Sequence, residues 1–479
     1  MTPRKVLPAA VIAVSAVVLA ACSSTAADPV RDQNNDVPFT SCDQIACTGT
    51  IDGAAYEILM PEKWNGTLLL YSHGYRPAQP FPPDFSPVDT SAVPVPGWND
   101  GTKDLGNTLL SEGYALAGSS YSSNGWAVED GVKAGEQLHD FFTTNIATPK
   151  RVYVWGDSLG GLITQTLAEK HADWIDGVAP LCGVVGGAEA NFNVALDLAY
   201  AFKMLIDPQL KLTNYASYEE AVVEWTRAAS TVVEDAKTGD TALIAKILAV
   251  GHVADGPTQT RTFDGSTIES IVKATVESLL TAIAYGTVGR QEAESRYGGN
   301  FSGNEGVDYA ARFNDAEKSL LNTVGGDGTA DAIIAALQNG ARVSPDPAAQ
   351  KNIVERGGNP TGEVQDPTIT MHTKSDSLVI VQNESLFGER YNAAVAANKV
   401  SGGLVQLFTV APSTYPESPG APYGAGHCNF TNQSRIAVID LLNSWVRNGV
   451  YPGQVAIRLA MGTESGYNAL YRPSAWPAQ

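Results

Sequence analysis

The sequence predicts an α/β protein: a mostly parallel central sheet flanked by helices, with a large helical insertion between two of its strands. Three observations carry this. Short apolar runs alternate with amphipathic stretches over residues 51–182. The alternation stops between about residues 187 and 360, where the chain is Ala-rich and reads as mostly helical. It resumes at Pro367 and continues to about residue 447. Strands that alternate with helices are joined by crossovers, which cover both faces of a parallel sheet.

Taken in order, the elements begin with an export signal. Arg4 and Lys5 precede an apolar run from Val6 to Ala21 that is too short to span a bilayer comfortably. The run ends Leu19-Ala20-Ala21-Cys22. This ending resembles the bacterial lipobox, and the resemblance implies lipidation at Cys22 and a cell-surface lipoprotein, with residues 1–21 as its signal peptide. An ordinary signal cut near Ala21, leaving a secreted protein, is the alternative. Residues 22–40 are small and polar and read as a flexible tether.

Residues 41–186 form the first part of the predicted core. Residues 51–60 and 66–72 read as strands, and Tyr114–Gly118 and 151–155 as two more, with helices over 103–112 and 127–145 between them. A helix to about Glu169 and the strand Gly177–Cys182 follow. The insertion, 187–360, offers helices at Asn193–Leu205, Tyr218–Glu234, Thr241–Val250, Thr267–Tyr285 and Ala330–Leu337. The core returns over 361–479, with strands at 367–373 and 404–410. Its helices are predicted at 378–398 and 433–447, ahead of an irregular tail from 451.

Composition narrows the partners. The chain has 479 residues and a formal net charge of −20, with 31 Lys and Arg against 51 Asp and Glu. Such a chain repels nucleic acid and anionic headgroups. There is no basic run and no second long apolar segment, so membrane contact is expected only through the anchor at Cys22. H-E-x-x-H, Cys/His clusters, phosphate loops and dinucleotide fingerprints are missing, so no metal and no cofactor is predicted. Beyond Cys22 the cysteines are Cys42, Cys47, Cys182 and Cys428. In an oxidising compartment they allow three connectivities. Cys42 and Cys47 are near enough to close a small loop, which leaves Cys182 with Cys428; free thiols are the alternative.

Gly156-Asp157-Ser158-Leu159-Gly160-Gly161 carries the chemistry. It follows the apolar run Val152–Trp155 and precedes the helix from Leu162. In a strand–G-x-S-x-G–helix arrangement the serine sits at the apex of a sharp turn. A serine hydroxyl is a weak nucleophile and needs a base, an acid to orient that base, and donors for an oxyanion. The chain has six histidines, and only His427 lies downstream of Asp376.

The order Ser158, Asp376, His427 resembles that of the α/β-hydrolase superfamily. Thr373–Val379 follows a late strand, where that family carries its acid. Gly424-Ala425-Gly426-His427 precedes the last helix, where it carries its histidine. His73-Gly74-Tyr75 follows an early strand, as the family's oxyanion segment does. The resemblance implies Ser158 as nucleophile, His427 as general base and acid, and Asp376 as its orienting acid. It also implies that the N–H groups of Leu159 and of Gly74 or Tyr75 bind the oxyanion. Glu384 and Asp366 are the runner-up acids, and Asp376 has a second reading as a helix N-cap. Tannases and feruloyl esterases, a branch of this superfamily, join a cysteine beside the histidine to one beside the nucleophile. The Cys182–Cys428 pair is similar, although Asp157 stands where that branch has its cysteine.

The insertion falls where such enzymes carry a lid. Tyr297, Phe301, Trp225, Phe81, Phe85 and Trp98 could line a pocket, although core packing accounts for any one of them. The resulting expectation is a secreted serine hydrolase that cleaves a small-molecule or oligomeric carboxylic ester through an acyl-enzyme. A peptidase or amidase on the same triad is the first alternative, which an acidic pair such as Glu219-Glu220 would favour if it bound a peptide amino terminus. A non-catalytic surface-binding lipoprotein is the second. Nothing in the sequence sets an oligomeric state.

Overall fold

The computed structural model describes residues 47–99, 101–255, 267–410, 427–463 and 465–477. Cys22, Cys42, the signal and the tether lie outside the described residues, and with them the proposed Cys42–Cys47 pairing.

Eight strands form one sheet in the order β1-β2-β4-β3-β5-β6-β7-β8. They are β1 (Cys47–Ile51), β2 (Ala54–Leu59), β3 (Thr67–Ser72), β4 (Ala115–Ser119), β5 (Arg151–Asp157), β6 (Gly177–Leu181), β7 (Thr368–Thr373) and β8 (Leu404–Thr409). The pairings from β4 through β8 are parallel, and β1–β2 and β2–β4 are antiparallel. A parallel run with an antiparallel edge, and a sharp serine turn leaving β5, is the α/β-hydrolase fold.

The strand period of two sorts the core into faces. Leu68, Leu70, Val152 and Val154 pack with α2 (Val128–Asn145) and α3 (Leu159–Lys170) on one face. Leu69, Tyr71, Tyr153 and Trp155 pack on the other face with α1 (Asp104–Ser111), α13 (Asn432–Asn448) and α14 (Gln454–Met461). The predicted irregular tail is corrected by α14, which buries Ile457 and Met461 against this second face. α12 (Asn383–Ala396) also starts later than the predicted residue 378. The carboxylate of Asp376 holds the intervening turn by accepting the N–H groups of Leu378 and Val379.

Between β6 and β7 lies the helical block. It contains α4 (Ala188–Leu205), α5 (Tyr218–Lys237), α6 (Thr241–His252), α7 (Ile268–Ala284), α8 (Arg290–Tyr297), α9 (Asp315–Gly325), α10 (Thr329–Asn339) and α11 (Pro347–Arg356). It has its own core, which includes Leu196, Phe202, Leu248, Leu279 and Leu337. A π-helix at Tyr285–Gly289 joins α7 to α8. α8 docks on the sheet domain through polar contacts. Glu292 accepts the Trp126 N–H at 2.9 Å, and Arg296 donates to Asp130 at 3.1 Å and to the Asn124 carbonyl at 2.6 Å.

Candidate active site

Ser158 sits between β5 and α3 with φ 61° and ψ −126°, a conformation that non-glycine residues rarely adopt and that costs on the order of 1–3 kcal/mol. The turn is held because the Ser158 N–H donates to the Leu181 carbonyl at 2.9 Å and the Gly161 N–H donates to the Ser158 carbonyl at 2.9 Å. Glycine is required on either side. A Cβ on Gly156 would lie 2.5 Å from the Ser72 carbonyl oxygen, and one on Gly160 would lie 2.0 Å from it. Leu159 opens α3, so its N–H is among the helix donors without an intrahelical acceptor. Gly74 lies against the serine: a Cβ there would come within 3.2 Å of Ser158 Cβ and 3.7 Å of its Oγ.

Asp376 follows β7 and is fully buried. Its Oδ2 lies 2.8 Å from His427 Nδ1, and His427 Nε2 lies 2.8 Å from Ser158 Oγ. A carboxylate accepts only, so Nδ1 carries the proton and Nε2 is left to accept from the serine hydroxyl. Burial alone would raise the pKa of Asp376. The charge of His427 and its hydrogen bond, with His372 and the Val379 N–H, outweigh it and hold the carboxyl below its ordinary value. The structure therefore brings together Ser158, His427 and Asp376, and Asp376 caps a turn at the same time.

The two runner-up acids lie elsewhere. Glu384 accepts from Thr370 at 2.6 Å and from the Gln406 amide at 2.7 Å, and burial pushes its carboxyl up to about 7. Asp366 is raised to about 7 by burial and by Asp176. His73 is buried and stacked on Tyr121 at 3.9 Å. Its Nδ1 lies 2.7 Å from the Gly74 carbonyl. Burial, with Arg76, lowers its pKa to about 3, so it stays neutral and supports the Gly74 turn.

Two long-range links brace the segment after His427. Cys182 and Cys428 are disulfide-bonded across 246 residues, with Cα atoms 5.3 Å apart. Arg435, on the first turn of α13, donates to Asp157 Oδ2 at 2.6 Å and to the Phe430 carbonyl at 2.9 Å. Asp157 thus pairs with an arginine at the position where the tannase-like branch has a cysteine. Sequence reading missed this pair because 278 residues separate its members.

Of the aromatics singled out, Tyr297, Phe301 and Trp98 are buried in packed clusters. Phe85 meets Trp225 at 5.9 Å. Phe81 instead meets Tyr75 at 6.2 Å. Glu220 is held by Lys211 at 2.8 Å, so the acidic pair at Glu219-Glu220 has a cation already. Among the described residues no group of three or more His, Cys, Asp or Glu is placed to hold a metal.

No family model matches the chain. It is 24% identical over 471 residues to an o-phthalyl amidase of Xanthobacter agilis, covering 88% of this chain and 92% of that one. Among solved structures it is similar to feruloyl esterase B from Aspergillus oryzae, with 14% identity, a TM-score of 0.36 and coverage of 85% and 80%. It is also similar to a proline iminopeptidase from Mycobacterium smegmatis, with 12% identity, a TM-score of 0.34 and coverage of 85% and 100%. The α/β-hydrolase fold itself is read from this chain's own strand order and from the serine turn that leaves β5.

Proposed function

We propose that the chain is a serine hydrolase that cleaves carboxylic esters through an acyl-enzyme, with Ser158, His427 and Asp376 as its triad. The single observation that carries this is the continuous hydrogen-bonded line from Asp376 through His427 to Ser158 Oγ at the strained turn. His427 Nε2 takes the serine proton as Oγ attacks the carbonyl carbon. The buried carboxylate of Asp376 stabilises the imidazolium that forms. The N–H groups of Leu159 and of Gly74 or Tyr75 receive the oxyanion of the tetrahedral intermediate. His427 then protonates the departing alcohol, and the same steps with water release the acid. The helical block acts as a cap over this site. The protein works outside the cell, anchored through Cys22 or released after cleavage near Ala21.

A second reading, amide cleavage, has one specific observation in its favour: the relative of matching length is an amidase. Ester and amide share the tetrahedral intermediate, so the triad serves either. The test is turnover of an activated acetate ester against the matching anilide, with Ser158→Ala as control. Ester turnover that vanishes in the variant while the anilide is untouched supports the esterase. Strong Ser158-dependent anilide cleavage moves the assignment to an amidase, and turnover that survives in Ser158→Ala removes the triad altogether.

A further inference from the structure

The loop that leaves β4 holds a tyrosine in a strained conformation. Tyr121 has a φ of 62°, in the left-handed region that a bulky side chain avoids, and such outliers cluster at functional sites. Two serines keep the turn in place. The Tyr121 N–H donates to Ser119 Oγ at 3.1 Å, and Ser120 Oγ donates to the Tyr121 carbonyl at 3.0 Å. Ser120 Oγ also accepts the Ala55 N–H at 2.9 Å, which ties the turn to the antiparallel strand β2. The buried Tyr121 side chain is thereby set against the segment that follows β3. Its hydroxyl donates to the His73 carbonyl at 3.0 Å, and its ring stacks on the His73 imidazole at 3.9 Å. Burial raises the phenol above its ordinary value, so the hydroxyl keeps the proton it donates.

Peptide planarity carries this arrangement toward the serine. In a trans peptide the carbonyl of one residue and the N–H of the next point in opposite directions. The His73 carbonyl and the Gly74 N–H share one plane, and the Gly74 carbonyl and the Tyr75 N–H share the next. Tyr121 fixes the first plane through its hydroxyl. His73 fixes the second: its Nδ1 lies 2.7 Å from the Gly74 carbonyl, and a carbonyl only accepts, so Nδ1 carries the proton. The stack on Tyr121 holds the imidazole that makes this bond. Neither the Gly74 N–H nor the Tyr75 N–H has an acceptor among the described residues. Gly74 is also the residue packed against Ser158. An open backbone donor beside a nucleophile stabilises developing charge best when its direction is set in advance. A hydrogen bond to the carbonyl of a peptide also polarises its N–H.

Resting on the triad reading above, we propose that Tyr121 is a positioning residue for the oxyanion. It fixes both peptide planes that present the Gly74 and Tyr75 N–H groups, the first through its hydroxyl and the second through His73. It acts through those planes and not on the reacting atoms. The antiparallel edge of the sheet contributes to catalysis by the same route, because Ala55 of β2 anchors the strained turn.

The test uses the full chain and p-nitrophenyl acetate. Tyr121→Phe keeps the ring and its stack and removes only the hydroxyl. It is expected to lower kcat about tenfold at nearly constant KM, less than the loss on the order of 10²–10³-fold that removing an oxyanion donor brings. Phenylboronic acid gives a reading that a merely structural role would not move. Its boron accepts a lone pair of Ser158 Oγ, the serine proton passes to His427, and the tetrahedral adduct places an oxygen where the oxyanion forms. Its Ki is expected to rise about tenfold as well, since adduct and transition state use the same donors. A kcat or a Ki that stays at the wild-type value overturns the proposal, as does a loss carried by KM or by melting temperature alone. Ser158-dependent turnover then leaves the triad reading standing. If acetate turnover survives in Ser158→Ala, both fall. Should Tyr121→Phe fail to fold, Ser119→Ala decides, because it loosens the strained turn and spares the ring. A fall in kcat and a rise in Ki of about threefold each support the proposal, and either one left at its wild-type value overturns it.

Discussion

The serine turn and the histidine arm are built on different principles. The turn is local. Ser158 and the glycines that relieve it lie within six residues, and its hydrogen bonds run to the next turn of α3 and to the neighbouring strand. The arm is held from far away. Cys428 is tied to Cys182 and Arg435 to Asp157, and the N–H of Cys428 reaches Asp376. A local device fails when one side chain no longer fits. A long-range device fails in parts, because each brace carries only some of the geometry.

The largest effect should come from the group that joins the two regions. Asp376→Asn is expected to lower kcat by about 10⁴-fold with the fold intact, because an amide no longer dictates the His427 tautomer. Steady-state kinetics beside a circular dichroism spectrum checks it, and a mild loss would mean that His427 keeps its tautomer without this carboxylate. Next comes the turn itself. Gly160→Ala places a methyl 2.0 Å from the Ser72 carbonyl, so at least about 3 kcal/mol of stability should go, read by chemical denaturation. Full stability would mean that the end of β3 can yield to the added methyl.

Glu384 tests the floor beneath the arm, since it bonds Thr370 on β7, the strand that leads to Asp376. Its carboxyl titrates near 4.5 when unfolded and near 7 when folded. The folded state binds the proton more tightly, so this contribution is complete below about pH 4.5 and is lost as pH rises through 7. Glu384→Gln should flatten that fall by roughly 3 kcal/mol between pH 4 and 8. Parallel slopes in thermal melts of both proteins would refute it. The smallest effect belongs to the ion pair. Arg435→Gln should cost about five- to tenfold in kcat at nearly constant KM, with Arg435→Lys recovering part of it, and more once Cys182→Ser has removed the other brace. An equal rise in KM would show that the pair shapes the pocket rather than the position of His427.

The turn was legible because its requirement is written in adjacent residues: apolar strand, glycine, serine, glycine, helix. The sheet was legible for a related reason, since Leu68–Tyr71 and Val152–Trp155 alternate in the side chains they give each face. Short or interrupted elements were not. β1 has five residues, and α14 follows Pro452 and Gly453, which read as loop signals. The π-helix at Tyr285–Gly289 leaves no mark in the apolar period that predicts α7.

By itself, then, the sequence determined the fold class, the serine and the order of its two partners, because strand period and turn chemistry act between near neighbours. Only the tertiary structure decided that Asp376, rather than Glu384 or Asp366, faces His427, and that Asp157 meets Arg435. Each of those depends on which side chains a packed sheet and a docked helical block bring within hydrogen-bond range, and such distances are set by folding rather than by separation along the chain.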